Sequence, residues 1–196
     1  MAAGIRRVKG VKHLGQRSGN WLTIDQAQLL VENSDGDGLR NKHDFAMISI
    51  LLGCGLRRRA ELAALNIDDI QIRQRHWAIV DLIGKGGHVR TVPMPAWVKD
   101  SVDQWLATAE LKHGRIFRAV SRHGSCWGRG ISENVVWYVV RECAKRLGLE
   151  HIAPHDLRRT CANRVLAGDN DILYRLRVNP IAQFRASILK NNRLLG

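Results

Sequence analysis

Three short segments of this 196-residue chain hold side chains suited to gripping a phosphate and moving a proton. The first is Gly53-Cys54-Gly55-Leu56-Arg57-Arg58-Arg59-Ala60-Glu61-Leu62, which sets arginines at the start of a short helix beside an acidic residue. Backbone N–H groups and the helix dipole favour an anion there, and a guanidinium adds bidentate recognition of phosphate oxygens. The second is Gly84-Lys85-Gly86-Gly87, a tight turn that would lift Lys85 clear of its flanking runs. It is not a nucleotide P-loop, which needs Gly-x-x-x-x-Gly-Lys-Ser/Thr leading from a strand into a helix. The third is Pro154-His155-Asp156-Leu157-Arg158-Arg159-Thr160, with His155 and Arg158 at i and i+3 on one helix face. A histidine able to give or take a proton beside a fixed cation suits phosphoryl transfer. Taken singly, each segment also has a plain reading: a solvated helix end, an idle turn lysine, a chance pairing in a basic chain.

The elements around these segments follow from periodicity and punctuation. Thr23 and Gln26 have the spacing of a capping box and open a helix through about Glu32, followed by a Ser34–Gly38 loop. That loop has two aspartates but lacks the remaining ligands of a calcium loop, so it reads as a turn. A helix over Leu39–Leu52 presents Phe45, Ile48 and Leu52 as its buried face, and a short one spans Arg58–Leu65, with Asn66 able to end it. Ile70–Arg73, Trp77–Ile83 and His88–Val92 read as a three-stranded antiparallel sheet ended by Pro93 and Pro95. Trp97, Val98, Val102, Trp105 and Leu106 mark an amphipathic helix, and Val120–Ile131 reads as a Gly/Ser/Arg loop. Ser132 caps a helix with Val136, Val139, Val140, Cys143 and Leu147 on its core face, and Pro154 starts another through about Leu166. Beyond Gly168 only Ile181–Leu195 offers a short helix. The fold class is therefore α+β, mostly helical with a small three-stranded sheet.

In this order and context the three segments resemble the catalytic domain of the tyrosine recombinases, the phage integrase family. The resemblance rests on Gly-Leu-Arg…Glu-Leu, on the Gly-Lys-Gly hairpin followed by Arg90-Thr91-Val92-Pro93, and on Pro-His-x-Leu-Arg-Arg-Thr, and it covers nearly the whole chain. It implies a transesterification on double-stranded DNA that uses neither metal nor cofactor. In the family a tyrosine attacks the scissile phosphate and forms a 3′-phosphotyrosyl bond, which a second strand later displaces. By motif match Arg158 is the second arginine, His155 the histidine and Lys85 the general acid. The first arginine falls on Arg57 if it follows Gly-Leu, or on Arg58 if counted three residues before Glu61. The helix phase set by Glu61 and Leu62 favours Arg58. Arg57, Arg59, Arg90, Arg159 and Arg185 are expected on DNA, and a homo-oligomer on that DNA is left open.

Two departures from the family pattern shape the expected activity. Members usually carry an N-terminal DNA-clamping domain, where this sequence has only the basic arm Met1–Asn20 ahead of a catalytic domain over 21–196. At the other end, alignment puts Arg185 on the family's next histidine and Leu194 on its nucleophilic tyrosine. The tyrosines present are Tyr138, read as helix packing, and Tyr174, too close to the His-x-x-Arg helix for the family spacing. The resemblance thus implies a DNA-binding domain with impaired strand cleavage. A Tyr174 nucleophile, a non-catalytic DNA-binding regulator and a decayed integrase fragment are the alternatives.

Composition agrees with a polyanionic partner. Thirty-one Lys and Arg against 18 Asp and Glu leave a formal net charge of +13, which suits nucleic acid. Cys54, Cys126, Cys143 and Cys161 lie far apart, with no zinc-ligand spacing, and read as reduced thiols, mostly in the core, of a cytoplasmic protein. The longest nearly apolar stretch, Phe45–Leu56, is too short to span a bilayer, and no secretory signal is evident.

Overall fold

The computed structural model describes residues 21–34, 36–149 and 151–166, with the side chains of 33, 85 and 164–166 left aside. The elements run α1 (Ile24–Ser34), α2 (Leu39–Cys54), α3 (Arg59–Ala64), β1 (Ile70–Arg73), β2 (His76–Ile83), β3 (Val89–Pro93), α4 (Ala96–Thr108), β4 (Ala119–Val120), β5 (Cys126–Trp127), α5 (Glu133–Arg146) and α6 (Pro154–Leu166). This is the expected α+β architecture. Arg185, Tyr174, Leu194, the Met1–Asn20 arm and the Ile181–Leu195 helix lie outside the described residues, as does the Lys85 side chain.

Helix α2 is the centre of the domain. It packs on α1, α4, α5 and α6, and its buried residues run from His43 to Cys54 with few breaks. The single Phe45–Ile48–Leu52 face expected from its sequence is therefore too narrow: a helix surrounded by others buries every side. Even its polar end is enclosed. His43 Nδ1 lies 2.8 Å from Asp44 Oδ1, and the imidazole meets Trp105 and Phe117 edge-on. Gly53 lets α2 approach α4, since a Cβ there would overlap Val98 and Trp97. Gly55 then ends α2 in the left-handed region (φ 58°), a conformation glycine adopts without strain.

The capping box forms as the sequence specifies: Thr23 N–H donates to Gln26 Oε1 at 3.0 Å, and Gln26 N–H to Thr23 Oγ1 at 3.2 Å. Ser132 also occupies the cap position of α5, but its side chain makes no capping hydrogen bond. In the sheet, β2 is central and antiparallel to both neighbours. Ile79 pairs with Val92 and Leu82 with Arg90, so Val80 and Asp81 together face Thr91. Asp81 turns this bulge at φ 55°. The Val120–Ile131 loop is more ordered than its composition suggests, because Ala119–Val120 and Cys126–Trp127 pair as a short ribbon. Cys54 and Cys143 are buried and Cys126 and Cys161 half-buried, all four outside any disulfide. Among the described residues, no helix is long and apolar enough to cross a membrane.

Candidate functional site

The site is organised around a carboxylate that is almost wholly withdrawn from solvent. Glu61, in the first turn of α3, is buried and accepts five hydrogen bonds. Arg90 of β3 donates two, Nη2 to Oε2 at 2.7 Å and Nη1 to Oε1 at 3.2 Å. The N–H groups of Arg57 and Arg58 donate at 2.9 and 3.3 Å, and Arg58 Nε at 3.4 Å. Burial alone would push the Glu61 carboxyl up. The bonds from Arg90 and from the Arg57 and Arg58 backbone, with the Arg90 charge, outweigh that and hold it below the ordinary carboxylate value.

This arrangement fixes Arg58 at two points. Its Nε leans on Glu61, and its Nη2 donates to the carbonyl of Ile83 at 3.2 Å, where β2 enters the Lys85–Gly87 turn. The arginine is thereby aimed at the base of the hairpin, and its side chain remains 46% exposed, open to a further anion. The bulge at Asp81 is what delivers Ile83 to it, since two residues of β2 are spent against one of β3. Gly86 and Gly87 close the hairpin at φ 80° and 77°.

At the other side stands the start of α6. Asp156 turns back to accept the Ala153 N–H at 3.0 Å, and Thr160 Oγ1 accepts the Leu22 N–H at 2.9 Å while donating to the Asp156 carbonyl. These bonds and the packing of α6 on α2 hold His155 exposed at the helix start. An open cleft of about 570 Å³ lies between the two regions. Arg57, Arg58, Arg59 and Ala60 form one side, Ala153, Pro154 and His155 another, and Glu133 and Trp137 of α5 a third, over Leu51 and Leu56.

Residues about 100 apart in the sequence thus share one concavity. Arg158, one turn along α6 from His155, is half-buried. Arg159 lies 3.6 Å from Asp156. Arg90, expected on DNA, has its guanidinium turned to Glu61 and is only 22% exposed. Tyr138 is not packed as its helix position suggested: it is 54% exposed and lines a separate cavity with Arg40, Glu142 and Arg146. Trp137 was not anticipated in the site. Its signal was an aromatic off the Val136–Val139–Val140–Cys143 stripe, four residues after Glu133.

A helical domain with a small sheet, whose hairpin abuts a cleft lined by arginines and a histidine, has the architecture of a tyrosine-recombinase catalytic domain. The phage integrase family model matches residues 20–172, and the chain belongs to that family. It is 29% identical over 157 residues to tyrosine recombinase XerD of Listeria monocytogenes, covering 77% of this chain and 50% of the relative. To tyrosine recombinase XerC of Vibrio atlanticus it is 32% identical over 154 residues, covering 77% and 47%. The chain therefore spans about half the length of the curated relatives it matches. Among solved structures, XerA recombinase superposes with a TM-score of 0.61 at 22% identity, covering 86% of this chain and 57% of that one. XerH site-specific recombinase bound to palindromic difH substrate gives 0.64 at 19% identity, covering 96% and 56%. At such identities these two establish the fold.

Proposed function

We propose that this chain is a DNA-binding, site-specific recombinase domain that grips the phosphate backbone in the Arg57–His155 cleft and is impaired in strand cleavage. One observation carries the reading: Arg57, Arg58, Arg59 and His155, from segments remote in sequence, line a single open cleft. Support also comes from the similarly folded Tn1549 transposon integrase, described as in complex with transposon right end DNA. In the reaction of the family, the tyrosine oxygen bonds to phosphorus, the P–O5′ bond breaks, and the departing 5′ oxygen takes a proton. Arg58 and Arg158 neutralise charge on the non-bridging oxygens, His155 hydrogen-bonds the same phosphate, and Lys85 supplies the proton. Arg58 is chosen over Arg57 because Glu61 and the Ile83 carbonyl hold its guanidinium in place before any ligand arrives. Arg57, Arg59 and Arg159 reach flanking phosphates, and Arg90 acts at one remove by positioning Glu61.

The nucleophile is the part of the machinery that does not match. Alignment puts Leu194 at its position, and a leucine has no oxygen to attack with. Tyr138 lines a different cavity from the cleft, which favours the reading of a DNA-binding regulator that occupies recombination sites.

Two measurements test this. Fluorescence anisotropy on duplex DNA across salt should show log K falling by about 0.9 per phosphate contacted for each log unit of salt, with a Kd in the range of roughly 10⁻⁴ to 10⁻⁶ M. A slope near zero overturns the DNA reading. A nicked suicide substrate run on a denaturing gel should show no protein-linked band from the 196-residue polypeptide. A protease-sensitive shifted band shows cleavage, and its loss in Tyr174→Phe names the nucleophile.

A further inference from the structure

The cleft wall opposite the arginines is chemically unlike them. Glu133 and Trp137 lie at i and i+4 of α5, so they project from one helix face, and both line the cleft. A large indole left 44% exposed on a helix whose other face is fully packed serves no purpose in the core. Arg141, one further turn along, sits 5.4 Å from the ring centroid and steadies it from that side. A negative charge at Glu133 repels phosphate, so a phosphodiester entering the cleft is driven to the Arg57–Arg59 and His155 sides. The uncharged parts of the same nucleotide are then left facing the indole. The volume of the cleft, about 570 Å³, falls within the range of roughly 300–1,000 Å³ typical of ligand sites.

We infer that Trp137 is a nucleotide-contact residue: its indole packs against the deoxyribose next to the phosphate held by Arg58 and His155. The inference rests on the DNA-binding reading above. Its energetic character is distinct from that of the arginines. An aromatic contact with the sugar releases no counterions, so it adds affinity without adding to the salt slope, and it tolerates any sequence because every nucleotide carries the same sugar.

The experiment compares the 196-residue chain with Trp137→Ala and Trp137→Phe on one duplex. Since Trp21 and Trp127 are also exposed, the readout must be taken by difference. Acrylamide quenching with and without DNA should show the chain losing quencher access at one tryptophan, a change missing from Trp137→Phe. Trp137→Ala should bind about 5- to 20-fold more weakly with an unchanged salt slope, and Trp137→Phe within about 2-fold of the parent. Equal affinity of Trp137→Ala and the parent, with the quenching change intact in Trp137→Phe, overturns the inference while leaving DNA binding in place. So does a drop that comes with a lowered melting temperature or an altered oligomeric state, which would mean that protein covers the indole. Failure of the parent to bind DNA with any salt dependence is the different result that removes the underlying reading as well.

Discussion

Removing the Glu61 carboxylate should cost more stability than any substitution of a residue that touches solvent in the cleft. In Glu61→Ala the Arg90 guanidinium loses both oxygens it holds, at 2.7 and 3.2 Å, and two backbone N–H groups lose their acceptor. Breaking a buried ion pair from one side costs about 3–5 kcal/mol. Arg90 keeps 22% exposure, so water recovers part of that, and about 3 kcal/mol is the working figure. At this chain length each kcal/mol moves the melting temperature by about 2–4 °C, so the midpoint should fall by roughly 6–12 °C. Thermal and urea unfolding followed by far-UV circular dichroism measure it, with Glu133→Ala, exposed in the same cleft, as a control expected within about 0.5 kcal/mol of the parent. The double variant Glu61→Leu/Arg90→Met should regain part of the loss, because no charge is stranded although the Arg57 and Arg58 N–H groups still lack their acceptor. A midpoint for Glu61→Ala within about 2 °C of the parent would refute the argument that this carboxylate organises the site.

Three further outcomes rest on the same structure. Because the folded Glu61 carboxyl sits below its ordinary value of 4.5, its stabilisation is complete above that pH and is lost as pH falls through the lowered value. Urea midpoints taken downward from about pH 6 should drop less steeply for Glu61→Gln than for the parent, and parallel acid limbs would count against it. Asp81→Val places a β-branched side chain at φ 55° and should cost roughly 1–2 kcal/mol in urea melts, whereas Asp81→Gly should be tolerated. Gly55→Ala puts a Cβ at φ 58° and 3.0 Å from Cys161 Sγ, so a loss of at least about 1–2 kcal/mol is expected by calorimetry.

What the sequence discloses is set by how local the cause is. The capping box at Thr23 and Gln26 and the turn at Gly84–Gly87 are decided within a few residues, and each forms where it should. Arg58 and His155, which share the lining of the candidate cleft, stand out in the sequence because each sits in a compact motif. Other features depend on partners that no window contains. The Glu61–Arg90 pair spans 29 positions and has no spacing of its own. The bulge at Asp81 arises from counting β2 against β3, and either strand alone reads as regular. The two-residue strands β4 and β5 are too short for an alternating pattern. The stripe of α5 that faces the core hid the opposite stripe, where Trp137 and Tyr138 stand exposed.

The Glu61 knot also separates two kinds of selection on the cleft. Arg90 joins β3 to α3 through it, and Arg58 spans from it to the end of β2, so the same bonds that shape the cleft hold sheet and helices together. A lineage that ceased to cut DNA would remain free to lose a tyrosine, since no fold contact need depend on it. Losing Glu61 or Arg90 alone would cost it about 3 kcal/mol of the domain's stability. Much of the scaffold presenting Arg58 is thus kept by the need to fold, and it persists as an inheritance available to any later use of the surface.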